Sequence, residues 1–113
     1  MIAPTPDPTW EKQKKLTSVV AAIRESVWKH ARGRFKDDLR VERASLDSIM
    51  PGNVTALGHV LWMCDEIDRL VRDCADQRDD RRFDKANRWI GFAQGVLWIT
   101  GVASIDESRE INK

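Results

Sequence analysis

Apolar positions recur most regularly over residues 57–75, where Leu57, Val60, Leu61, Cys64, Ile67, Val71 and Cys74 follow the i, i+3, i+4, i+7 spacing. That period predicts an amphipathic helix buried through this face, with Met63 and Leu70 widening it on one side. Residues 86–100 predict a second helix: at about 100° per residue, Phe92, Val96, Trp89, Thr100, Ala93, Ala86, Leu97 and Ile90 share one broad arc. Earlier in the chain Leu16, Val19, Val20, Ile23 and Val27, with Ala31 beside them, predict a third, which has Trp10 and Trp28 on one flank. Asp7-Pro8-Thr9 suits its start, because Pro tolerates the first helical position and Asp or Thr can cap free amides; Gly33 suits its end.

Pro51-Gly52-Asn53 is the clearest break, and Asn53 or Thr55 can cap the helix that follows. Residues 34–50, with Phe35, Leu39, Leu46, Ile49 and Met50, suit two short helices or one irregular one. Residues 76–84 read as a charged turn, short enough to make the helices on either side antiparallel neighbours. Gly101 ends the second of these, and Ser104 followed by Glu107 forms a capping box for a last helix reaching Asn112. No stretch alternates with period two. The expected fold is therefore all-α, four or five helices built on an antiparallel hairpin of about 56–76 and 83–100 with a short C-terminal helix. Residues 1–8, with prolines at 4, 6 and 8, are expected to be flexible, and 9–113 to form a single domain.

Two helix faces are left over. On the first hairpin helix His59, Trp62 and Glu66 succeed one another opposite the core, continued by Arg69 and Asp73. On the second, Asn87, Arg88, Gly91, Gln94, Gly95 and Trp98 fill the side that a solvated helix gives to Lys and Glu. Gly91 and Gly95 each cost about 1 kcal/mol relative to Ala, so a close approach by another backbone or a ligand is expected there. Aromatics, small residues and single hydrogen-bonding groups resemble the centre of a protein interface, which points to a homo-oligomer. They also suit a pocket in which Trp62 or Trp98 stacks a ring, Arg88 pairs with a phosphate or carboxylate, and Asn87 and Gln94 read polar edges.

The formal net charge of +1 lacks the basicity of a dedicated nucleic-acid binder. The basic stretches 12–15 and 29–36 are interleaved with Glu11, Glu25, Asp37 and Asp38, and Arg78, Arg81 and Arg82 with Asp76, Asp79, Asp80 and Asp84. Nucleic acid is thus a third-ranked partner. The longest run free of charge, 89–105, is at the lower limit for a bilayer span and reads as a buried helix; no membrane partner is expected. The N-terminus lacks a signal-peptide pattern, so a cytoplasmic location is expected. Cys64 and Cys74 lie about 15 Å apart on one helix, too far to bridge within it, and read as reduced core residues. Neither His30 nor His59 has a nucleophile context, no phosphate loop or metal-ligand spacing occurs, and Asp65, Glu66 and Asp68 diverge on their helix. The expectation is a protein that is not an enzyme, with no metal and no cofactor.

Three motifs carry a likeness: HVLWMC at 59–64, KANRWIGFAQGVLW at 85–98, and SIDESRE at 104–110, with Gly101 before it. Together they resemble a widespread set of small tailed-bacteriophage proteins, in which a His-Leu-Leu-Trp-Met-Cys-like helix precedes Arg-Trp-Leu-Gly-Phe-x-Gln-Gly and Ser-Ile-Asp-Glu-x-Arg. The likeness covers residues 57–113; Ser108 stands where that set has an apolar residue, a change that loosens the docking of the last helix. It implies a phage accessory protein, acting in infection by binding. The first expectation is capture of a host factor by a homo-oligomer, and the second is sequestration of a nucleotide-like immune signal by Trp62, Arg88, Gln94 and Trp98.

Overall fold

A computed structural model describes residues 8–74 and 80–113. These form four helices, α1 (Pro8–Ala31), α2 (Asn53–Cys74), α3 (Asp80–Ile99) and α4 (Ile105–Ile111). The fold is all-α, and no helix among the described residues is long and apolar enough to cross a membrane.

Cross-helix contacts fix the arrangement. The Gln13 amide donates to the Val71 carbonyl at 3.3 Å, and Arg24 reaches Asp65 and Asp68 at 3.0 and 2.9 Å, so α1 and α2 run antiparallel. His59 meets Phe92 and Trp62 meets Trp89, so α2 and α3 are antiparallel too, as the hairpin expectation required. The core lies between the three long helices, with Val20, Ile23, Val27, Leu57, Leu61, Ile67 and Leu97 fully buried. The expected apolar faces of α1 and α2 are buried, while the Cys74 side chain, the Trp10 side chain and residues 1–7 and 75–79 fall outside the described set.

The face of α3 differs from the expected arc. Ala86, Ile90, Ala93, Leu97 and Thr100 are buried, but Trp89 and Val96 are only half-buried and Phe92 is 57% exposed. Phe83, which the sequence reading placed in a charged turn, is 3% exposed. The helix begins earlier than expected, and Phe83 lies about 60° from Ala86 on the side away from Phe92. One more buried aromatic there rotates the face toward α1 and leaves Phe92 outside.

Residues 34–50 contain no helix. Gly33 takes φ +76 and closes α1, with Phe35 N–H returning to the Ala31 carbonyl. Turns occupy residues 32–38, Leu39 drops into the core, and the chain then crosses the first turns of α2 without regular structure. Asn53 is the first residue of α2, not its cap, and the Gly52 carbonyl accepts from Ala56 N–H at 2.9 Å. At the other end Gly101 (φ +80) stops α3 while Val102 N–H returns to the Leu97 carbonyl at 2.8 Å. The capping box of α4 forms as expected, Glu107 N–H to Ser104 Oγ and Ser104 N–H to Glu107 Oε1, both at 3.1 Å.

Candidate functional site

The crossing segment, residues 39–46, makes one wall of the site. It lies so close to α2 that a Cβ at Gly58 would overlap the Arg40 carbonyl oxygen. Glu42 N–H donates to the Gly58 carbonyl at 3.2 Å, and Ala44 N–H donates to His59 Nδ1 at 3.0 Å. This strap brings Arg43 over the Trp62 ring, 5.3 Å from its centroid. Trp62 is in turn tilted against His59 at 5.4 Å and against Trp89 at 5.9 Å, and His59 meets Phe92 edge-on at 6.3 Å. Arg43, Leu46, His59, Trp62, Met63, Arg88, Trp89 and Phe92 line an open pocket of about 400 Å³.

Electrostatically the pocket is cationic. Among the described residues neither Arg43 nor Arg88 has a carboxylate within ion-pair distance, and Lys85 lies 5.4 Å from the Trp89 centroid. Burial, with the nearby Arg43 charge adding to it, lowers the His59 pKa from its ordinary value, so the ring is neutral near pH 7 with Nδ1 as acceptor. Its proton then sits on Nε2.

Of the nine residues singled out from sequence, His59, Trp62 and Arg88 come together here. Glu66 is half-buried and bridges to Arg69 at 3.1 Å, away from the pocket lining. Asn87, Gly91 and Gln94 line a different groove of about 740 Å³ between α1, α3 and the chain's end, with Lys12, Lys15 and Asn112. There Asn87 donates to the Phe83 carbonyl at 3.0 Å, and Gln94 and Asn112 exchange two amide hydrogen bonds at 2.9 and 3.1 Å. Gly95 and Trp98 line neither; Trp98 is 54% exposed. The ligand set Trp62, Arg88, Gln94 and Trp98 is therefore corrected. Gln94 is turned to Asn112, and Trp98 lies too far along α3 to share a wall with Trp62. The expected close approach at Gly91 and Gly95 does not occur among the described residues, where nothing lies within 4 Å of a Cβ built at either.

Sequence reasoning missed Arg43, Leu46, Trp89 and Phe92 as wall residues, and also Met63, which it assigned to the core face. Arg43 carries no signal without the strap's register, but Gly58 inside a strongly apolar helix was a readable mark of a crossing backbone. Elsewhere, Asp65 and Asp68 are occupied by Arg24, and no group of three potential metal ligands occurs among the described residues. Cys64 is buried and its thiol pKa is pushed up to about 11, which keeps it protonated and unreactive. Comparisons with protein-family models, with curated proteins and with solved structures found no match to this chain.

Proposed function

We propose that this chain is a non-enzymatic binding protein that captures a small planar anion of nucleotide type, in keeping with a phage accessory role in the cytoplasm of an infected cell. The observation that carries this reading is the pair Arg43 and Arg88, both without carboxylate partners among the described residues, beside the Trp62, Trp89 and Phe92 rings. Base stacking on an aromatic ring contributes about 1–3 kcal/mol, and a guanidinium offers a phosphate two parallel hydrogen bonds. Arg43, resting on Trp62, swings to a phosphate at the cost of one exposed cation–π contact, about 0.5–1 kcal/mol.

Tryptophan quenching and calorimetry with mononucleotides, cyclic nucleotides and cyclic dinucleotides, with inorganic phosphate as control, test this. Arg88→Ala is expected to weaken the bound nucleotide about tenfold to a hundredfold without lowering Tm, because Arg88 is exposed and supports no core contact. The ligand is expected back unmodified. Absence of binding by every probe at millimolar concentration would refute the reading.

Self-association is favoured by a separate observation. Gly91, Phe92, Gly95, Trp98 and Ile99 form one uncovered face of α3, on which Phe92, Trp98 and Ile99 are 57, 54 and 76% exposed. Side chains of that size left outside a monomer suit a second copy of the chain or a host protein. Native mass spectrometry distinguishes the two, since a monomer alone removes the homo-oligomer.

A further inference from the structure

The strap over α2 is held by few ties, and one of them depends on a titratable ring. Its backbone donates at Glu42 to the Gly58 carbonyl, which is a second acceptance by an oxygen already within a helix, and at Ala44 to His59 Nδ1. Leu39 anchors its start in the core, but beyond it Val41 is 49% and Leu46 is 85% exposed, so burial holds the segment weakly. A neutral imidazole with its proton on Nε2 accepts from Ala44; an imidazolium has a donor at both nitrogens and cannot. Protonation would place an N–H against an N–H and a second cation beside Arg43.

We infer that His59 is a positioning residue whose neutral ring holds the strap on α2 through Ala44, keeping Arg43 and Leu46 in the pocket wall, and that protonating His59 releases them. This rests on the reading of the pocket as an anion site for its functional consequence, though not for its structural part. The charged groups about the ring favour release: Arg43 faces it from the strap and Arg88 lines the same pocket from α3, while Glu66, two turns further along α2, is held by Arg69. Lowering of the His59 pKa by burial and by Arg43 agrees with this geometry. The released state is thus expected below the ordinary histidine range of about 6.5.

The experiment is amide hydrogen exchange of the full chain by ¹H–¹⁵N NMR between pH 5 and 8, corrected for intrinsic exchange, with the His59 ring protons followed in the same samples. In the wild type the protection of the Ala44 amide is expected to fall about tenfold as His59 protonates, the scale of one lost hydrogen bond. In His59→Ala it is expected to be lost at every pH. His59→Asn, whose side-chain carbonyl can accept in place of Nδ1 but does not titrate, is expected to restore protection without pH dependence. Ala44 protection that is equal in His59→Ala and wild type, or that ignores the ring's titration, overturns the proposal. Adenosine monophosphate and a cyclic dinucleotide, titrated at pH 5.5 and 7.5, read the functional part. Binding that weakens at pH 5.5 in the wild type but not in His59→Asn supports it, and binding that is unchanged in both overturns it. Failure of both probes to bind, with the exchange pattern as expected, leaves the strap mechanism standing and removes the nucleotide reading.

Discussion

Ser108 illustrates how much a single hydroxyl can matter in a small core. Its Oγ is buried and has no hydrogen-bond partner among the described residues. A buried hydroxyl without a partner costs about 1–3 kcal/mol, and Ala also has the better helix propensity. Ser108→Ala is therefore expected to stabilise the fold by about 1 kcal/mol, raising Tm by about 4 °C in a thermal melt. The motif at 104–110 marks the position in the sequence, and the fold shows its hydroxyl turned inward. Arg43 is the contrary case, for its role depends on a register across α2 that no local pattern encodes.

At the scale of elements, α2 was legible almost completely, because its apolar spacing and its packing agree. The face of α3 was legible only in part. Its arc held eight apolar or small residues, wider than one interface needs, and the placement of Phe83 in a charged run hid the side chain that decides which edge is buried. Residues 34–50, which contain the strap, were expected to form two short helices or one irregular one on the strength of Phe35, Leu39, Leu46, Ile49 and Met50; instead only Leu39 is buried and the other four are partly or wholly exposed. The strap's close passage over α2 makes Gly58 a sterically required glycine. Gly58→Ala gains about 1 kcal/mol of helix propensity yet forces its methyl group into the Arg40 carbonyl, which costs about 1–3 kcal/mol and is expected to lower Tm or detach the strap. The same change at Gly95, where a Cβ meets nothing within 4 Å among the described residues, is the control and is expected to raise Tm.

For the molecule as a whole, both histidines tie stability to pH in the same direction. Burial, with Arg43 near one ring and Arg34 near the other, lowers the pKa of His59 and His30. The unfolded chain then takes up protons first as pH falls through about 6.5, so stability declines from there toward the folded-state values and levels off below them. Above about 6.5 the histidine contribution is complete. Urea denaturation at pH 7.5 and pH 5 is expected to give a lower midpoint at pH 5, and His59→Asn should reduce the difference.

The aromatic pocket draws its walls from three separate stretches, residues 43–46, 59–63 and 88–92. No one of them can form the site alone, so the pocket exists only where the hairpin is closed and the strap is seated. A molecule that occupies it would act as a clasp across the entire topology, slowing global unfolding rather than merely filling a surface hollow.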